Sequence, residues 1–200
     1  MYLEIKDLAP VECYQALVAA VIPRPIAWVS TISKQGVDNL APYSFFTVVS
    51  CQPMVLCVTE IFPRDMQHKH TLTNLQQTGE CVVNIVDSAA AELMNATSAS
   101  YAVDQDEFIA LGIEKVASKR VKAAGVAISP VRFECQLREI ICISDQPMGG
   151  SMMLLNVVAL HAEDRCVTGD KIDTLKVGAI GKMGGNFYSS TDTSFQLVRP

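Results

Sequence analysis

The sequence is short of the features that mark several large classes of function. No CxxC pair occurs among its seven cysteines, and seven is an odd number, so neither a thioredoxin-like pair nor a disulfide framework is expected. No apolar run approaches the roughly 20 residues needed to span a bilayer. The start, Met1-Tyr2-Leu3-Glu4, carries no basic segment followed by an apolar one. The expected setting is a reducing cytoplasm, away from membranes. Charge is scarce as well: 18% of residues are charged and the formal net charge is −5. The densest basic run is only Lys119-Arg120-Val121-Lys122, which reads as a solvated surface segment. A phosphate backbone needs a basic face, so nucleic acid is not expected as a partner.

Hydrolytic and metal chemistry are poorly supplied too. There are three histidines. His68 and His70 form an H-x-H pair, but no carboxylate or thiol stands at a spacing that completes a ligand set, so no metal is expected. His161 reads as a surface residue or a satisfied interior group. Gly181-Lys182-Met183-Gly184-Gly185 has no Gly-Lys-Ser/Thr ending and is not a phosphate loop, and a Rossmann fingerprint is missing. Cys51 has no base beside it, so little of it would be thiolate. Cys57, Cys81, Cys135 and Cys142 sit among apolar neighbours and read as small core residues.

What remains is a chain of 200 residues, half of them hydrophobic, enough for one domain over 1–200 with a substantial core. Its overall hydrophobicity suggests surface reserved for a second copy, a homodimer. Ile26 to Ile32 and Leu40 to Ser50 are rich in β-branched and aromatic residues and read as two strands reversing at Lys34-Gln35-Gly36. Met54 to Thr59 is a third, entered through Pro53. Leu72 and Leu75 stand at helical spacing with Gly79 as terminator. Cys81 to Val86 reads as a buried strand. Ser88 is positioned to cap the next helix, and Asp104 with Glu107 stands at capping-box spacing before Phe108 and Leu111, with Gly112 at the end. Val131, Phe133, Cys135 and Leu137 alternate with Arg132, Glu134, Gln136 and Arg138, which predicts a strand with one wet face. Gly149-Gly150 then turns the chain into a strand from Met152 to His161. The expected class is mainly β, antiparallel strands with short inserted helices closing into a barrel or partial barrel.

The densest information lies in Arg24-Pro25-Ile26-Ala27-Trp28-Val29-Ser30-Thr31 and Asn39-Leu40-Ala41-Pro42-Tyr43-Ser44-Phe45-Phe46. Taken singly, each hydroxyl here is an ordinary strand residue. Together they offer hydroxyls, an amide, aromatic rings and one Arg, with no His, Asp or Glu set for acid–base work. That inventory suits a flat, neutral heteroaromatic ring held by hydrogen bonds along one edge. Pro42 removes a ladder donor, so its strand is an edge, irregular, or paired with something other than a strand. Lys69-His70-Thr71 precedes a helix whose free N–H groups could hold a phosphate, or else Thr71 simply caps that helix.

These segments resemble the flavin reductase-like family that includes the flavoredoxins. The resemblance extends through Ser50 with Pro53, Lys69 with Thr71 and Asn74, Gly79-Glu80 leading to Val83-Asn84, and Lys182 with Gly184-Gly185 and Tyr188. It implies an FMN-binding split β-barrel, dimeric, with the cofactor close to the subunit interface. By that resemblance Asn39 to Phe45 (Asn39, Ala41, Pro42, Tyr43, Ser44, Phe45) lines the flavin ring. Arg24, Thr31, Lys69 and Thr71 become candidates for the phosphate and ribityl end, and Pro25, Ser50 and Asn74 join the candidate binding residues. The implied activity is an NAD(P)H-dependent flavin reductase with no protein acid or base. Alternatives are an electron carrier served by a redox partner protein, or a non-catalytic flavin binder. Two positions depart from the family pattern: His70 stands where Asp often follows the Lys, and Lys182 where Arg is more usual, and Lys cannot reproduce Arg's bidentate fork.

Overall fold

The computed structural model of the chain describes residues 1–63 and 70–198. An N-terminal helix, α1 (Pro10–Ala20), leads into a two-residue strand β1 (Arg24–Pro25) and then β2 (Ala27–Ile32), β3 (Asp38–Tyr43), β4 (Phe46–Cys51) and β5 (Met54–Ile61). Next come α2 (His70–Thr78), β6 (Glu80–Ile85), α3 (Ala91–Ala96), α4 (Glu107–Leu111) and the short pair β7 (Lys115–Val116) and β8 (Gly125–Val126). Two long strands follow, β9 (Val131–Cys142) and β10 (Gly150–Ala162). The chain closes with β11 (Val167–Thr168), β12 (Lys171–Ile172), α5 (Thr174–Val177), β13 (Ile180–Lys182) and β14 (Tyr188–Ser190). No described helix is long and apolar enough to cross a membrane.

Seven strands form one sheet in the order β3-β2-β6-β9-β10-β5-β4, each pair antiparallel. Its two edge strands, β3 and β4, are consecutive in the chain and separated only by Ser44 and Phe45. Three peptide steps span at most about 11 Å. The sheet therefore has to curl until its edges lie side by side, and the barrel stays split at that seam. The sequence predicts one strand from Leu40 to Ser50; the structure breaks it at Ser44-Phe45, where the chain leaves one edge and starts the other.

Alternation along β2 and β3 sorts their side chains into two cores. Ala27, Val29, Ala41 and Tyr43 face the barrel interior, which α2 closes with Leu72 and Leu75. Trp28 and Leu40 face outward beneath α3 and α4, packed with Met94 and Phe108. Trp28 is wholly buried and its indole N–H donates to Thr97 Oγ1 at 2.9 Å. The β2–β3 reversal forms as expected, with Gly36 at φ +83°, and α2 ends at Gly79 with φ +72°.

Three local expectations are corrected. Asp87, not Ser88, caps the turn ahead of α3, accepting from Ala90 N at 3.1 Å. Asp106, not Asp104, caps α4, because its Oδ1 reaches Phe108 N (2.8 Å) and Ile109 N (3.3 Å). The polar face of β9 is dry at its start: Arg132 and Glu134 are buried. Arg132 donates to the Ser129 carbonyl (3.0 Å) and pairs with Glu163, while Glu134 accepts from Lys119 N (2.9 Å). Among the cysteines, Cys142 is exposed, whereas Cys57, Cys81, Cys135 and Cys166 are buried.

Candidate functional site

The seam is where the backbone has hydrogen-bonding capacity to spare. In β3, Leu40 N donates not to β2 but outward, to Glu107 Oε2 of α4 at 3.0 Å. Outward and inward positions alternate along an antiparallel edge, so Pro42, opposite Trp28, also faces outward. Its missing N–H costs no ladder bond there, and its carbonyl is directed away from β2. The outer margin of β3 thus presents acceptors and few donors as it runs into Ser44.

Arg24 fixes the geometry of the link. It is buried, and Nη1 donates to the carbonyls of Val18 (2.8 Å) and Val21 (2.9 Å), which ends α1. Nη2 donates to Met183 O (3.0 Å) and Nε to Ser44 Oγ (3.3 Å). A cation at a helix C-terminus is favoured by the dipole and by unpaired carbonyls. The guanidinium also lies 6.0 Å from the centre of the Phe45 ring, which stacks on Tyr14 of α1 at 6.3 Å and 24°. Phe45 O accepts from Thr59 N at 2.8 Å, so both link residues are held. Among the described residues no carboxylate pairs with Arg24. Lys182, opposite Arg24 in the β1–β13 pairing, adds a second positive group, its amine pushed below the usual lysine range by burial and by the charge of Arg24.

Two cavities meet at the link. The larger, about 350 Å³, is lined by Leu17, Val21, Pro23, Arg24, Pro25, Ser44, Phe45, Phe46 and Thr47. The smaller, about 190 Å³, is lined by Tyr14, Pro42, Tyr43, Ser44, Phe45, Thr59, Glu60 and Ile61. Ser44 and Phe45 belong to both. One is walled mainly by apolar groups beside a cation, the other by hydroxyls and a carboxylate.

The candidate residues divide accordingly. Arg24, Pro25, Pro42, Tyr43, Ser44 and Phe45 line the cavities. Thr31, Asn39, Thr71 and Asn74 come together elsewhere, buried beneath α2. Asn39 Nδ2 donates to Thr71 Oγ1 (2.9 Å) and Thr31 Oγ1 (3.4 Å), and Asn74 Nδ2 donates to Thr31 Oγ1 (3.0 Å). Thr71 is thus an interior member of α2 whose hydroxyl ties the first turn to β3. Tyr43 joins the two groups: its ring faces the core, and its hydroxyl, bonded to Thr71, has its pKa raised well above the usual phenol value. Burial is the main cause, followed by the charge of Glu60. Ala41 is buried in the barrel core. Ser50 lies four residues into β4 from the seam, about 13 Å along the strand, and lines neither cavity. Lys69 lies outside the described residues.

Sequence reasoning missed Tyr14, Thr59 and Glu60. The two runs Arg24–Thr31 and Asn39–Phe46 supply no carboxylate of their own, and β5 adds Glu60, 1% exposed, to the wall of the smaller cavity. α1 carried a signal of its own in Pro10 at its first position and an alanine-rich end.

A split antiparallel barrel with an aromatic, hydroxyl-rich seam defines a class of flavin-linked oxidoreductases. The chain belongs to the flavin reductase like domain family, whose model matches residues 19–169. An uncharacterized protein of Bacillus subtilis, YwrF, is 35% identical over 205 residues, covering both chains completely. Nitrilotriacetate monooxygenase component B from Bacillus cereus superimposes with a TM-score of 0.92 at 26% identity, over 98% of each chain. The 2-nitrobenzoate 2-nitroreductase NbaA from Pseudomonas fluorescens gives 0.90 at 26%, over 100% of this chain and 96% of that one. Flavoredoxin of Desulfovibrio vulgaris shares the fold, with a TM-score of 0.76 at 15% identity over 100% and 97%.

Proposed function

We propose that the protein binds FMN along the outer margin of β3 and at the seam, and that it takes hydride from NADH or NADPH. The observation that carries this reading is the open strand edge ending at Ser44-Phe45, beside a buried guanidinium whose partners among the described residues are all neutral. A buried cation with neutral partners favours an anionic or electron-rich neighbour. The residues fit a flavin: outward carbonyls of β3 can accept from the ring's N–H, Ser44 offers a hydroxyl, and the apolar cavity receives the ring's hydrocarbon side.

Asn39 to Phe45 covers six steps of extended chain, about 20 Å. On this reading the ring lies at the Ser44-Phe45 end and the phosphate at the start of α2, where Lys69 and the free N–H groups of the first turn would hold it. Arg24 then belongs to the ring end. Thr31, Asn39, Thr71 and Asn74 support the strand and helix from behind rather than touching the phosphate through their side chains.

When bound, the flavin supplies the hydride chemistry at N5. The chain's own residues orient it: Arg24 fixes Ser44, and Phe45, braced by Tyr14 and the Thr59 N–H, keeps the two cavities distinct. A nicotinamide has no Rossmann domain of its own here and would enter over the flavin from the smaller cavity. The exposed apolar face of β4 and its surroundings, with Val48, Val49, Met54 and Leu17, is the surface a second copy would cover.

Anaerobic titration of the flavin-loaded protein with NADH and then NADPH tests the proposal. Rapid bleaching of bound flavin is expected with one or both. Bleaching by dithionite alone would replace the reductase with an electron carrier, and loss of flavin on washing would remove the cofactor assignment. The double variant Arg24→Ala, Lys69→Ala should bind FMN markedly more weakly. Sedimentation of the same sample tests the dimer.

A further inference from the structure

Cys81 and Cys135 face each other across the junction of β6 and β9, and no part of the proposed function uses them. Both are free, fully buried and part of the barrel core. Two residues along the same ladder, Leu137 N donates to Gly79 O at 2.8 Å. Hydrogen-bonded and non-hydrogen-bonded positions alternate along an antiparallel ladder, so Cys81 and Cys135 are a hydrogen-bonded pair. Such pairs hold their Cα atoms about 5.5 Å apart, inside the range that a disulfide spans. The side chains meet as well, since the two thiols share a hydrogen bond. The other cysteines lack this arrangement. Cys51 stands opposite Met54, Cys142 opposite Ser151 and Cys57 opposite Leu154, while Cys166 donates to the Lys176 carbonyl and Cys13 lies in α1.

In the order β3-β2-β6-β9-β10-β5-β4, the β6–β9 ladder joins the half of the sheet that ends at the β3 margin to the half that ends at the β4 margin. A covalent bond in that ladder fastens the two halves to each other inside the core, away from the seam. It also closes the chain between residues 81 and 135 into a long loop, which restricts the unfolded chain more than a short one does.

We propose that Cys81 and Cys135 form a redox-sensitive staple: two-electron oxidation by hydrogen peroxide joins them in a cross-strand disulfide that locks β6 to β9. One sulfur attacks the peroxide O–O bond, which leaves it as a sulfenic acid and releases a first water. The second sulfur then attacks the first, the S–S bond forms and the sulfenic hydroxyl leaves as a second water. Two thiols are oxidised and one peroxide is reduced. The hydrogen bond to Cys135 and burial hold the Cys81 thiol well above the ordinary thiol range. Thiolate is therefore scarce, and the staple closes slowly, in answer to sustained rather than brief oxidant. No flavin takes part in any step.

The test exposes folded wild-type protein to hydrogen peroxide, blocks the remaining thiols with N-ethylmaleimide in denaturant, and digests the product without reductant. A peptide linking Cys81 to Cys135 is expected, with the melting temperature raised by roughly 5 °C or more and restored by dithiothreitol. Cys81→Ser and Cys135→Ser should each lose the peroxide-dependent shift. Recovery of Cys81 and Cys135 as free thiols, with oxidation confined to the exposed Cys51 and Cys142, overturns the inference and requires no variant to fold. A linked peptide at an unchanged melting temperature overturns the locking of β6 to β9.

Discussion

The seam and the cluster beneath α2 lie at the two ends of β3 and both contain hydroxyls, yet they differ in what their polar groups do. At the cluster, Thr31, Asn39, Thr71 and Asn74 bond one another and belong to neither of the two cavities at the link. At the seam, Arg24 and Ser44 bond each other and the backbone while walling open space. The difference comes from where the sheet is closed. Inside the barrel α2 covers the strands, so every polar group must find a partner within the protein. At the seam no neighbouring strand covers β3, so its margin is left for something else. A hydroxyl in a strand can therefore belong to the fold or to a ligand, and only the closure of the sheet distinguishes them.

The largest effect expected on this contrast comes from Arg24→Ala. It frees the carbonyls of Val18, Val21 and Met183 together and loosens Ser44, which should cost about 3 kcal/mol. For a chain of this size that corresponds to a melting temperature lower by roughly 6–12 °C. Flavin affinity should fall in parallel, and thermal melts with flavin titration read both. An unchanged melting temperature would mean that the guanidinium serves the ligand alone.

Asn39→Ala sharpens the other side. Losing an amide that donates to two buried hydroxyls should cost about 1–2 kcal/mol in thermal or denaturant unfolding. The flavin dissociation constant should stay within about threefold of wild type. A large loss of flavin affinity at unchanged stability would merge the two regions into one site.

The smallest effect concerns Glu107, which holds the outward Leu40 N–H between the two regions. Burial holds its carboxyl above the ordinary carboxylate range. The folded protein thus binds that proton more tightly than the unfolded chain. The contribution to stability is fully present below the unfolded pKa and is lost as pH rises through the folded one. Glu107→Gln keeps the acceptor for Leu40 N without the charge, so its melting temperature should rise relative to wild type as pH increases from about 4. A difference that is flat with pH would refute the shift.

Much of this was legible in the sequence. Pro42 marked an edge because its ring cannot donate, Gly79 marked the end of α2, and period-two patterning marked β9. Strand and helix signals are local, and these were read correctly. Three features were not local. Glu60 sits on β5, sixteen residues beyond Ser44, and only barrel closure brings it to the seam. Glu134 is covered by the irregular segment just upstream, whose Lys119 and Arg120 N–H groups donate to its carboxylate, and that segment carries no periodic pattern to announce the fold-back. The break at Ser44-Phe45 interrupts a sequence whose β-propensity favours continuation, and topology overrides propensity there.

The two-residue link also sets an order of opening. Every other junction in the main sheet is a ladder of backbone hydrogen bonds, whereas β3 and β4 are joined by a short tether and by side chains. Amide exchange should accordingly be fastest along these two margins, well ahead of β9 and β10. A guest lodged there acts as a missing rung, and its binding energy is returned to the chain as protection of the margins. On the binding mode proposed above, cofactor and fold would be one cooperative unit, and exchange along both margins should slow when flavin is added.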